Sequence, residues 1–152
     1  MSEAFVAGPV AAERGPFLEL SQEGWERMIA QVRKAFLGAR DYARGREGPG
    51  RIVIVSAAAA VRPIAGATLE GVAGAFLTTT AQVAAVELAE RGITANVVVP
   101  ALEADEQAVA AVIEFLLSES ARGVSGAVIA ADGAFSVTKD PSRSPLIDGA
   151  QS

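Results

Sequence analysis

The sequence predicts an α/β protein with a small parallel sheet of about four strands and helices on both faces. Buried apolar runs alternate with segments of helical periodicity, from strand to helix and back to a final strand. This order is typical of a parallel sheet with crossover helices. The run from Thr94 to Val99 is nearly continuous and β-branched, as in a strand covered on both faces. A long helix rich in alanine and glycine, from Thr68 to a stop signal at Gly92, precedes it.

The other elements follow closely along the chain. The strands are predicted at residues 4–10, 51–56, 94–99 and 126–131, and the other two helices at 22–43 and 105–121. Ser21 and Thr68 are predicted N-caps, because a side-chain oxygen there accepts from free helix N–H groups. The small residues at 57–67 are interpreted as a loop. Two prolines and little apolar content predict a flexible tail over residues 138–152, which leaves one domain at residues 1–137.

Composition excludes several classes of function. The 152 residues include no cysteine and no histidine, so thiol nucleophiles, disulfides and imidazole ligands are unavailable. The net charge of −5 gives no basic footprint for nucleic acid. No run of eighteen apolar residues and no basic leader occur, so we expect no membrane span and a cytoplasmic protein. Glu103, Asp105 and Glu106 lack the spacing of a calcium loop and are interpreted as a helix start, so no metal is expected.

The long helix has a second face that is poor in charge. Small residues dominate it, and packing on the chain's own sheet accounts for one face only. We therefore predict that a helix of another subunit covers the other face. The predicted interface residues are Gly71, Gly74, Ala75, Ala81, Ala84 and Ala85.

Four strings of residues carry a resemblance to a known family. They are the proline-aromatic lead and tryptophan helix at 15–40, GRIVIVSA at 50–57, ELAERGITANVVVP, and FLLSESARGVSGAVIAADGAF. Together they resemble the later part of a short-chain dehydrogenase/reductase over residues 4–137. The resemblance implies a partial Rossmann-like fold in which the family's first three strands and their glycine-rich cofactor turn are missing. It therefore implies no bound NAD or NADP unless a partner chain supplies the site.

The catalytic group of that family is also degenerate in this chain. The family uses a tyrosine, a lysine four residues later, a serine and often an asparagine. Aligned on Glu87-Leu88-Ala89, these positions fall on Glu70, Gly74, Ala57 and Val32. Without a neighbouring cation, Glu70 is interpreted as a helix-start charge. A shift of one residue makes Ser56 a candidate catalytic serine. Tyr42 lies on a different helix and is interpreted as surface or packing.

Three hypotheses for function follow. The first is a non-catalytic subunit that pairs with itself or with a full-length reductase, through the helix that builds a four-helix dimer interface in the resembling family. The alternative is an NAD(P)-dependent oxidoreductase that is active only with a partner chain. A third is a small-ligand module that uses the crevice beyond the strand ends near Ser56 and Pro100.

Overall fold

The computed structural model describes residues 3–138, and it confirms the alternating order of strands and helices. The strands are β1 (Ala4–Ala7), β2 (Gly50–Val55), β3 (Ile93–Pro100) and β4 (Val128–Ala131). The helices are α1 (Gln22–Gly45), α2 (Ala58–Val61), α3 (Thr68–Glu87) and α4 (Glu106–Leu117). Single 3₁₀ turns lie at Phe17–Glu19, Ala89–Arg91 and Glu119–Ala121. Apart from Thr138 itself, the predicted tail lies outside the described residues.

The four strands form one parallel sheet in the order β1-β2-β3-β4. Val6 pairs with Val53, and Val53 pairs with Asn96, which fixes the register across the first three strands. Every residue of β3 is buried, as its β-branched sequence predicts. Helices α1 and α3 cover one face of the sheet, whereas α4 covers the other. The predicted fold class is therefore confirmed.

The two faces of the sheet carry separate apolar cores. The larger core joins α1 and α3 to the sheet through Met28, Val32, Ile52, Ile54, Leu77, Val97 and Val99, among others. The smaller core joins α4 to the sheet through Val53, Val98, Leu116 and Ala121. Asn96 is buried between them, and its side chain accepts from Ala127 N and donates to the Val124 carbonyl. This side chain therefore satisfies the backbone that leads into β4.

The start of α1 confirms the predicted cap. The Ser21 hydroxyl accepts from Gly24 N at 2.9 Å. The Glu13 carboxylate in turn accepts from both the Ser21 N–H and the Ser21 hydroxyl. These hydrogen bonds, the backbone one first, hold the pKa of Glu13 below its usual range because they favour the charged carboxylate. The segment before α1 is thereby fixed to the helix.

Several predicted boundaries need correction. Thr68 is the first residue of α3 rather than its cap, because Ala67 occupies the cap position and no side chain caps the helix. Gly92 ends the long helical segment in the left-handed conformation, as predicted. Strand β1 ends at Ala7, since Gly8 has a φ of 110°. The predicted loop at 57–67 contains the one-turn helix α2.

Helix α3 has the length and composition of a membrane span, with 20 residues and a mean hydropathy of 1.2. A core helix of a globular domain passes the same test. Leu69, Ala73 and Leu77 of α3 are buried in the core that it shares with the sheet. The packing of α3 therefore favours a core helix.

Candidate functional site

A small crevice lies beyond the carboxyl ends of β2 and β3, where ligands bind in open α/β sheets. Its volume is about 150 Å³. Its walls come from the segment after β1, the end of β2, the start of α3 and the segment after β3. The lining residues are Pro9, Val10, Arg14, Ser56, Ala57, Ala58, Glu70, Pro100, Ala101, Leu102 and Ala104. Three of the five catalytic positions considered from the sequence therefore meet at this crevice.

Glu70 has a neighbouring cation, which corrects the interpretation of this residue from the sequence. Arg14 Nε lies 2.6 Å from Glu70 Oε1, and Arg14 Nη2 lies 3.3 Å from Glu70 Oε2. The pKa of Arg14 is raised, chiefly by its hydrogen bond to Glu70. The side chain of Glu70 is 15% exposed, whereas that of Arg14 is 51% exposed. At the position of the family's tyrosine the crevice thus holds a carboxylate that is already paired.

Ser56 is buried, and its hydroxyl both donates and accepts a hydrogen bond. Its Oγ donates to the Gly74 carbonyl at 3.0 Å and accepts from Thr78 Oγ1 at 3.1 Å. A hydroxyl has one proton to donate, so this geometry commits the Ser56 proton to the backbone of α3. Thr78 was missed from the sequence, although its position four residues after Gly74 places both on one helix face.

Gly74 lies where no side chain fits. A Cβ atom there would lie 2.7 Å from Ser56 Oγ, 2.9 Å from Ala57 N and 2.9 Å from the Ala60 Cβ. A Cβ at Gly71 would lie 3.0 Å from the Ala59 carbonyl oxygen. The two glycines thus form the surface of α3 on which α2 packs. A helix does pack on these small residues, as predicted for the interface, but it is a helix of the same chain.

The remaining catalytic positions offer no reactive group. Ala57 lines the crevice with a methyl group and precedes α2. Val32 is 3% exposed and packs in the core between α1 and the sheet. Among residues 3–138, no group of three acidic side chains is placed to hold a metal ion. Asp105 instead caps α4, since its Oδ1 accepts from Gln107 N and Ala108 N.

Tyr42 has a defined structural role, which is more specific than the predicted surface or packing position. Its hydroxyl donates to the Glu3 carbonyl at 2.5 Å and accepts from Arg51 N at 3.1 Å. Tyr42 therefore bridges the beginnings of β1 and β2. It lies outside the crevice lining.

A second concavity, of about 860 Å³, lies between α1 and α3 on the outer surface. We call this surface the α1–α3 face. Its floor includes the buried residues Ala39, Ala43 and Ile52. Its ridges include Phe36, Val72, Phe76 and Val83, which are 39–50% exposed. The Phe36 and Phe76 rings meet edge to face, with 6.3 Å between centroids.

Some of the predicted interface residues are buried within the chain, and others line the groove of the α1–α3 face. Gly74, Ala81 and Ala85 are buried within the chain, so their assignment to an intersubunit surface was wrong. Gly71 packs on α2. Ala75 and Ala84 do line the groove of the α1–α3 face. The small residues did not mark an intersubunit surface, because they allow α2 and the sheet of the same chain to approach the backbone of α3 closely. The larger side chains of α3 point outward.

These features define a class of protein, a parallel α/β domain with its crevice at the carboxyl ends of the strands. The chain belongs to the short-chain dehydrogenase/reductase family, because residues 4–104 match a family model described as Enoyl-(Acyl carrier protein) reductase. No curated protein sequence matches the chain.

Solved structures share this fold. LugOII, described as a promiscuous reductase that catalyses keto-reduction at C1 during lugdunomycin biosynthesis, superposes with a TM-score of 0.83 at 23% identity, covering 90% of this chain and 61% of its own. Acetoin dehydrogenase YohF from Salmonella typhimurium gives 0.82 at 22% identity, with coverages of 90% and 66%. A short-chain dehydrogenase/reductase from Serratia marcescens gives 0.79 at 26% identity, with coverages of 89% and 66%. The chain thus spans 61–66% of the length of these proteins.

Proposed function

We propose that this chain is a non-catalytic member of the family, which self-assembles or pairs with a full-length reductase in a structural or regulatory role. The observation that carries the proposal is the chemistry of the crevice. Where the resembling family places serine and tyrosine, this crevice has Ala57 and the paired Glu70. The position of the family's lysine, outside the crevice lining, is Gly74, which has no side chain. In the family, one residue transfers the proton and a neighbouring cation lowers the pKa of that residue. Ala57, Glu70 and Gly74 provide no such pair.

Two further features support the proposal. The Ser56 hydroxyl donates to the backbone of α3. The space for a side chain at Gly74 is taken by α2. A lysine at this position requires α2 and Ser56 to move. The packing around Gly74 therefore excludes the family's lysine side chain. The binding of no cofactor and a cytoplasmic location stay predictions.

A second candidate is an NAD(P)-dependent oxidoreductase that works only with a partner chain. It is supported by the retained crevice at the strand ends and by the reductases that share the fold. In this case the partner supplies both the nicotinamide site and the proton donor. The crevice of this chain then contributes walls to the substrate site.

The test is an assay of hydride transfer by the purified chain. The chain is mixed with acetoin and either NAD or NADH, with the chain and the cofactor at similar concentrations. The nicotinamide absorbance is then followed. Salmonella acetoin dehydrogenase serves as the positive control. We expect no turnover by the chain. Cofactor-dependent turnover that is lost in Glu70→Gln contradicts the non-catalytic proposal.

A further inference from the structure

An ion pair joins two walls of the small crevice at the strand ends. Arg14 belongs to the segment after β1, and Glu70 belongs to the first turn of α3. Arg14 Nε and Nη2 lie 2.6 and 3.3 Å from the two carboxylate oxygens of Glu70. Both residues line the crevice. The pair therefore connects elements that are otherwise far apart along the chain.

The burial of the lining side chains places this pair at the entrance. Ser56 is buried, the side chain of Glu70 is largely buried, and that of Arg14 is half exposed. The guanidinium thus lies on the solvent side of the crevice. With the pair in place the crevice measures about 150 Å³, which is below the range of about 300–1,000 Å³ that is typical of ligand pockets. This conformation therefore closes the crevice to most ligands.

The backbone next to Arg14 is fixed to α1. The Ala11 N–H donates to Gln31 Oε1 at 3.0 Å, and the Gln31 side chain donates to the Ala11 carbonyl. Glu13 accepts from Ser21 at the start of α1. Exposed side chains, in contrast, change rotamer within nanoseconds. Opening of the crevice therefore requires a rotation of the Arg14 side chain rather than a movement of the segment that carries it.

The energetic barrier to this rotation is low. An ion pair with an exposed partner changes an equilibrium constant by at most about fivefold. Glu103, in the segment after β3, also raises the pKa of Arg14 through its charge. A second carboxylate is therefore within electrostatic reach when Arg14 leaves Glu70. The closed conformation is favoured by a small factor and is readily released.

We propose that Arg14 is a gate for the crevice, closed by its hydrogen bonds to Glu70 and opened by rotation of its side chain into solvent. A small molecule reaches Ser56 and Ala57 only when the gate is open. This inference goes beyond the proposed function, because the gate controls access to the crevice and needs no partner chain.

An introduced cysteine tests the gate, because the chain has none of its own. Ala57→Cys places a thiol in the crevice lining, and its reaction with the neutral reagent dithiodipyridine is followed by absorbance. We expect the reaction to become about fivefold faster when Arg14→Ala is added. Sodium chloride at about 1 M should accelerate the reaction of Ala57→Cys alone, because salt screens the ion pair. The same salt should leave the rate of the double variant unchanged.

Matched variants separate the gate from a general loss of stability. Arg33→Ala removes an exposed arginine of α1 outside the crevice lining, and it should leave the rate unchanged. Ala35→Cys, in the core between α1 and the sheet, should react no faster when Arg14 is replaced. Arg14→Lys keeps the charge but loses the two parallel hydrogen bonds, so its rate should lie between those of arginine and alanine. Far-UV circular dichroism confirms that each variant folds.

Three outcomes overturn the proposal. Equal rates with arginine and with alanine at position 14 show that the ion pair does not control access. An acceleration of Ala35→Cys as large as that of Ala57→Cys identifies a loss of stability instead. Equal acceleration by salt with and without Arg14 excludes screening of the ion pair as the cause. Nicotinamide turnover contradicts the non-catalytic role whatever these rates are.

Discussion

The hydroxyl of Ser56 donates a hydrogen bond to the main-chain oxygen of Gly74 over 3.0 Å, and a Cβ atom at Gly74 would lie 2.7 Å from the same hydroxyl. Ser56 directly follows β2, and Gly74 lies in the first half of α3. Their contact brings the two elements together beneath the crevice, and it leaves no room for the side chain on which the family's chemistry depends.

Gly74→Ala should destabilise the protein although alanine is the better helix former by about 1 kcal/mol. The added methyl group meets Ser56, Ala57 and Ala60 at distances under 3 Å, and overpacking of this kind typically lowers the free energy of unfolding by about 1–3 kcal/mol. Urea denaturation measures the change. Gly123→Ala, which meets nothing within 4 Å, is the control. Equal stabilities of the two variants contradict the assigned packing.

Restoring the family's residues should not restore activity. Glu70→Tyr combined with Gly74→Lys returns the tyrosine and lysine, but α2 still occupies the space around position 74. We expect a destabilised protein without cofactor-dependent turnover in the nicotinamide assay. A well-folded double variant that oxidises NADH in the presence of a carbonyl substrate contradicts the view that the loss is structural.

Ala81→Leu should lower stability, because Ala81 is 1% exposed and packs in the core beneath α3. An added isobutyl group in a packed core reduces the free energy of unfolding by about 1–3 kcal/mol. Ala75→Leu, on the exposed side of the same helix, should change it by less than about 0.5 kcal/mol. Thermal denaturation compares the two. A larger effect at Ala75 reverses the assigned orientation of α3.

Tyr42→Phe should weaken the join between β1 and β2. The variant loses the hydroxyl that accepts from Arg51 N and donates to the Glu3 carbonyl. A lost hydrogen bond of this kind costs about 0.5–1.5 kcal/mol, and Arg51 N keeps a second acceptor, the Glu3 carbonyl at 3.2 Å. Urea denaturation measures the loss. An unchanged free energy of unfolding contradicts the bridging role.

Glu13 should make stability depend on acid pH. Its pKa is lowered in the folded protein by the hydrogen bonds from Ser21. A depressed carboxyl pKa contributes stability that is present above the unfolded value of about 4.3 and is lost as pH falls through the folded value. Denaturation at neutral and acid pH should therefore show a smaller acid loss in Glu13→Gln than in wild type. A steeper acid loss in the variant has the wrong sign for this account.

Much of the fold follows from the sequence, because each signal is local. The β-branched run of β3, the Ser21 cap and the Gly92 stop each act within a few residues, and each is confirmed. The cation beside Glu70 could not be predicted in this way, because Arg14 is 56 positions away and approaches only through the segment after β1. The alanine and glycine residues of α3 also do not indicate which neighbouring element each of them contacts. The packing of α2 on Gly71 and Gly74 is therefore visible only in the folded structure.

Calorimetric titration of the purified chain with NADH, alongside Salmonella acetoin dehydrogenase under the same conditions, tests the non-catalytic role most directly. The crevice chemistry described above predicts no saturable heat for this chain. Saturable binding at one site per chain, weakened when Glu70 is replaced by glutamine, contradicts the account, because it gives this chain a nicotinamide site at the crevice.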